Sequence, residues 1–166
     1  MPCIGEVQNS FQALAAANTR EKEGLFNEQN CSGLWSGTGN TATMADMVVA
    51  GASAAGAKVD CFPAGEFSAE MADQFDAIAF GCPAMGAEQL EESEFEPMFR
   101  SCLPKLSGKK VGLFGSYGWG DGEWMHSWCE NCRQSGIALV TDGVICNGAP
   151  DDSAEADCKA LGASLA

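Results

Sequence analysis

The run Ser36-Gly37-Thr38-Gly39-Asn40-Thr41, preceded by Trp35 and followed from about Thr43 by an apolar helical pattern, leaves this chain few ways to fold. Two glycines permit a tight turn in which several peptide N–H groups converge on one point. Ser36, Thr38 and Thr41 add hydroxyls, and a helix behind them would aim its dipole and its unpaired first-turn N–H groups at the same place. That is the chemistry of an anion cradle. No Lys or Arg stands between Trp35 and Lys58, whereas a nucleoside-triphosphate loop ends in a lysine that meets the outer phosphates. Neutral donors alone suit one phosphate monoester. Two other readings share the stretch. Gly37, Gly39 and Ala42 also satisfy the dinucleotide spacing, with Asp60 about twenty residues further on, and a plain glycine-rich turn needs no ligand. The hydroxyls, and the lack of a following substrate domain, favour the monophosphate.

Beyond the cradle the sequence alternates between the two periodicities. Met44, Met47 and Val48 mark a helix face ending near Gly56. Val59 to Phe62 reads as a strand, Ser68 as the cap of a short helix through Met71, and Asp76 to Phe80 as the next strand. Glu94, Glu96 and Pro97 open a helix with Phe99, Cys102 and Leu103 on its apolar face. Lys110 to Gly115 is a strand, Trp124 to Ser135 a helix stopped by Gly136, Ala138 to Ile145 the last strand, and Asp152 to Leu161 the last helix. Such alternation predicts an α/β fold, a parallel sheet covered on both faces, with ligands beyond the carboxyl ends of the strands. The first strand is the weak link. Asn27 to Leu34 is poor in the β-branched residues of a buried strand, and residues 1–29 read as an appendage, with Ser10 capping a short helix, ahead of a domain over residues 30–166.

On the ligand edge the cradle has two companions. One is Cys82-Pro83-Ala84-Met85-Gly86-Ala87-Glu88, where an adaptable side chain sits beside a glycine whose backbone can change the sign of φ. The other is Gly115-Ser116-Tyr117-Gly118-Trp119-Gly120-Asp121-Gly122-Glu123. Large rings set among glycines suit a stacking platform for a planar ligand, while Trp124 and Trp128, four apart on a helix, suit the core.

Composition narrows the function. The 166 residues carry 23 acidic against 9 basic side chains, a formal charge of −14. This excludes nucleic acid and anionic membranes as natural partners and favours basic proteins. No apolar run approaches the roughly 20 residues of a membrane span, and no basic segment precedes an apolar one at the start, so a cytoplasmic location is expected. Nine scattered cysteines fit reduced thiols better than a disulfide framework.

Three motifs together resemble the short-chain flavodoxins of anaerobic bacteria over residues 35–166: Trp35 to Thr41, Gly81 to Gly86 with Leu90 to Pro97, and Gly108 to Gly120. The resemblance implies a five-stranded parallel sheet of order 2-1-3-4-5, non-covalent FMN, and a monomeric one-electron carrier rather than an enzyme. By the same resemblance Ser36, Gly37, Thr38, Gly39, Asn40 and Thr41 hold the phosphate. Pro83, Ala84, Met85 and Gly86 lie along one ring face, with the Met85–Gly86 peptide turning to meet N5. Glu88 bonds the pyrimidine edge, Trp119 stacks outside, Ser116, Tyr117, Gly118 and Gly120 surround the ring, and Asn147 touches its edge. Basic reductases and ferredoxin-linked oxidoreductases become the expected partners. A carboxylate about 10 Å from the ring disfavours a reduced, anionic ring by about 0.4 kcal/mol even in a water-like dielectric, so the acidic run Glu88, Glu91, Glu92, Glu94, Glu96 points to a low potential and to steering of cationic proteins.

Two departures from the family pattern stand out. Ala87 replaces the Asp or Ser that often follows the turning glycine. Family members also open with an apolar strand, and here a polar run takes its place, which threatens both sheet and cradle. The alternatives are therefore a flavodoxin-like domain that has lost its flavin, or a dithiol oxidoreductase using Cys129 and Cys132.

Overall fold

The computed structural model describes residues 29–166; the expected Ser10 helix lies outside them. Five strands, β1 (Gln29–Leu34), β2 (Lys58–Pro63), β3 (Ala77–Gly81), β4 (Lys110–Tyr117) and β5 (Val144–Asn147), form one sheet of order β2-β1-β3-β4-β5. All four pairings are parallel. The helices are α1 (Asn40–Ala54), α2 (Ala69–Ala72), α3 (Phe95–Cys102), α4 (Glu123–Gln134) and α5 (Asp152–Leu165).

Alternation along the strands divides the interior into two cores. Ile78, Phe80, Val111 and Leu113 face α3 and α4, where Phe95, Phe99 and Trp128 meet edge to face or stacked, with centroids 5.4–6.1 Å apart. Ala77, Ala79 and Phe114 face α1 and α5. Those two helices lie close to each other. A Cβ on Gly51 would collide with the Lys159 carbonyl, and one on Gly162 with that of Val48.

The polar run forms the strand after all. β1 pairs residue by residue with β2 and β3, so hydrogen bonding on both edges specifies it where side-chain propensity does not. Its polar residues are buried: Asn30 Nδ2 donates to the Leu165 carbonyl at 3.1 Å. Asn30 Oδ1 and Ser32 Oγ have no hydrogen-bond partner among the described residues, a cost of about 1–3 kcal/mol each.

Elsewhere the elements follow the expected pattern, except that β4 runs two residues and the last helix four residues further than expected, and in two other places. The first helix begins at Asn40, three residues earlier than expected, because Gly39 at φ 95° starts it. The last strand begins at Val144; Leu139 makes only an isolated bridge to Val111. The turn residues Thr141-Asp142-Gly143, with Gly143 at φ 88° and Asp142 paired to Arg133, break the run. No helix among the described residues is long and apolar enough to cross a membrane.

Candidate functional site

The loops after β1, β3 and β4 meet at the carboxyl edge of the sheet and are tied together by their backbones. The Trp35 amide donates to the Gly81 carbonyl at 3.0 Å, that of Ala84 to Ser116 at 3.0 Å, and that of Gly148 to Tyr117 at 2.8 Å. Cradle, turning loop and aromatic loop thus form one assembly, with Asn147 exposed beside it at the end of β5.

Within the cradle, Ser36 Oγ accepts from the amides of Gly39 at 3.2 Å and Ala42 at 3.3 Å. This serine shapes the loop from inside while Gly37, Thr38 and Gly39 are exposed. Gly39 caps α1 in the left-handed region, which only glycine adopts without strain. The first turn of α1 carries no acidic residue to compensate its positive end. Thr41 behaves differently from Thr38: it is buried, and its hydroxyl meets that of Ser116.

The second loop folds back on itself through paired backbone bonds between Met85 and Gln89, both 2.8 Å. Gly86 sits at the exposed tip with φ 52° and open space where a Cβ would stand, while the carbonyl of the Met85–Gly86 peptide accepts the Gln89 amide at 2.8 Å. Met85 and Trp119 are 36% and 64% exposed, two of the three exposed large hydrophobics among the described residues. Trp124 is buried, its Nε1 donating to the Cys82 carbonyl at 3.2 Å. Tyr117 packs on Trp124 with centroids 5.5 Å apart.

Two acidic residues have partners within the protein that the sequence did not suggest. Glu88 turns one carboxylate oxygen to the start of α4. Glu91 is 7% exposed and belongs to the scaffold. Burial pushes its carboxyl up, but bonds from the Ser93 hydroxyl and from the amides of Phe95, Glu94 and Ser93 outweigh this and hold its pKa to about 2. Its side chain receives the amides of Glu94 and Phe95 at the start of α3, a role hidden in the sequence by the acidic run around it. Glu92 and Glu94 are exposed, and Glu96 pairs with Arg100 at 2.6 Å.

The dinucleotide reading fails on position. Asp60 lies mid-strand in β2, opposite Cys31, not at the carboxyl end where a ribose would lie. The dithiol reading fails on environment. Cys129 and Cys132 are buried on the inner face of α4, and burial pushes the Cys132 thiol up to about 12, the reverse of an activated thiolate. His126 is exposed and has no ligand cluster with it; no group able to hold a metal ion occurs among the described residues.

A neutral anion cradle, and an exposed aromatic with an exposed thioether on the neighbouring loops, have the chemistry of a mononucleotide site in a protein of the doubly wound parallel-sheet class, where ligands lie at the point at which the strand order reverses, here between β1 and β3. Comparison with known proteins makes this specific. The sequence model of the flavodoxin family matches residues 34–161. The flavodoxin of Megasphaera elsdenii is 46% identical over 132 residues, spanning 80% of this chain and 94% of that protein. The flavodoxin of Clostridium beijerinckii is 43% identical over 132 residues, spanning 80% and 95%. The solution structure of two-electron reduced Megasphaera elsdenii flavodoxin superposes with a TM-score of 0.76 at 45% identity, over 82% of this chain and 97% of that one. The chain belongs to the flavodoxin family, FMN-binding electron-transfer proteins rather than enzymes.

Proposed function

We propose that this chain is a monomeric, cytoplasmic, low-potential one-electron carrier whose FMN is held without a covalent bond by residues 36–41 and by the two ring-side loops. The observation that carries this reading is the placement of a charge-free cradle and the exposed Trp119 on one sheet edge. The residues fit the group. An anion would meet oriented amides and the exposed Thr38, and Trp119 and Met85 would hold a planar ring. Pro83, Ala84, Ser116, Tyr117, Gly118 and Gly120 shape the surroundings, with Glu88 and Asn147 at the ring margins. Residues 30–166 serve as the binding domain and residues 1–29 as an appendage.

FMN, when bound, supplies the electron chemistry; the protein sets its access and energy. Trp119 and Met85 exclude water from the ring faces. The Met85–Gly86 peptide would meet the ring margin; turning it would give up the bond from the Gln89 amide to the Met85 carbonyl, and Gly86 carries no side chain to oppose the change in φ. Glu92, Glu94, Asp121 and Glu123, exposed around these loops, would make added negative charge costly and draw cationic surfaces of reductases and ferredoxin-linked oxidoreductases toward the ring.

The test is a titration of FMN with the apoprotein followed by a redox titration. Stoichiometric quenching of flavin fluorescence, with a final one-electron potential well below that of free FMN, is expected. Unchanged fluorescence would overturn the reading, as would an unshifted potential.

A further inference from the structure

Glu88 is the only non-glycine residue at positive φ among the described residues, at 53°. An L side chain rarely adopts this conformation, so something must hold it. Its Oε1 accepts three backbone amides, from Asp121 at 3.3 Å, Gly122 at 3.2 Å and Glu123 at 3.2 Å. These belong to the entry into α4 and its first residue, where orphan donors and the helix dipole favour a carboxylate. The same carboxylate fills the space beside Gly120, where a Cβ would collide with it. One acidic side chain therefore spans from the turn that carries Met85 to the loop that carries Trp119.

We infer that Glu88 is a positioning residue, a clasp that fastens the Met85–Gln89 turn to the start of α4 and so sets the spacing between Met85 and Trp119 before any ring enters. This rests on the proposed ring site, but the clasp itself is a property of the chain alone. Oε1 is committed to the helix, which leaves the second oxygen as the one available to a ring margin. Glu88 thus aligns the cleft whether or not it also touches the ligand. The Met85–Gln89 bridge ties the two ends of the turn together, so movement of Glu88 would carry Met85 with it.

The experiment is amide hydrogen exchange on the apoprotein, run for the parent, Glu88→Ala, Glu88→Gln and Gly120→Ala. In Glu88→Ala the amides of Asp121, Gly122 and Glu123 should exchange at least tenfold faster, while Val111 and Leu113 in β4 keep their parental rates. Glu88→Gln, which retains an acceptor oxygen, should restore part of the protection. Gly120→Ala leaves the carboxylate in the chain but displaces it, and should expose the same three amides. Unchanged exchange at those amides in Glu88→Ala would overturn the clasp. Because no flavin is present, failure of FMN binding in the parent would count against the proposed function and leave this result standing.

Discussion

Thr41 and Ser116 meet hydroxyl to hydroxyl at 3.1 Å inside the protein, and Thr41 Oγ1 also takes the Ser116 amide at 3.4 Å. The first turn of the cradle helix is thereby fixed to the strand that ends in the aromatic loop. Thr41→Val keeps the shape and removes the oxygen, leaving a buried amide and hydroxyl unpaired. The expected cost is about 1–3 kcal/mol, read as a lower urea midpoint of the apoprotein. Thr38→Val, at an exposed position, should leave that midpoint unchanged within about 0.5 kcal/mol and weaken FMN instead.

Trp119 and Trp124 separate along the same line. Trp119→Ala removes an exposed ring, so apoprotein stability should stay within about 0.5 kcal/mol of the parent. Stacking of an aromatic on a heterocyclic base is worth about 1–3 kcal/mol, so FMN affinity measured by fluorescence should fall roughly 5- to 150-fold. Trp124→Phe should act in reverse order. It frees the Cys82 carbonyl inside the protein and should first lower thermal stability.

Between α1 and α5 the glycines at 51 and 162 are contact points for the opposing backbone. Alanine is the better helix former by about 1 kcal/mol, yet Gly162→Ala would force the helices apart. Overpacking of this kind costs about 1–3 kcal/mol or more, so differential scanning calorimetry should show a lower Tm despite the gain in propensity.

Glu91 gives the apoprotein an acid-sensitive element. Its folded pKa of about 2 lies below the ordinary 4.5, so the unfolded state binds its proton first as pH falls. The stabilisation is complete above about pH 5, shrinks below pH 4.5 and is gone below about pH 2, and amounts to at most about 3 kcal/mol. Glu91→Gln should lower stability at pH 7 and flatten its decline between pH 5 and 2, measured by urea unfolding at each pH.

The cradle is legible in the sequence because glycine spacing and hydroxyls carry their chemistry locally; the alternation from Met44 to Leu161 gives the α/β class, and the sheet order follows from the family resemblance alone. Three features were not legible. β1 owes its existence to hydrogen bonding from Lys58–Pro63 and Ala77–Gly81, partners that a propensity scale does not see. The break before Val144 depends on Gly143 being left-handed. Among five nearby acids, only geometry distinguishes Glu91 as a buried acceptor at the start of α3 and Glu88 as a bridge between loops.

The absence of lysine from the cradle has a further consequence. A lysine stays cationic in a denatured chain, but the field at Gly39 and the start of α1 exists only while peptide dipoles are aligned. Affinity for a phosphate there vanishes with the helix, so unfolded chains offer the ligand almost no competing site. A phosphate ligand held there would then favour the native conformation to the full extent that mass action allows, and the apoprotein's urea midpoint should rise with the logarithm of FMN concentration.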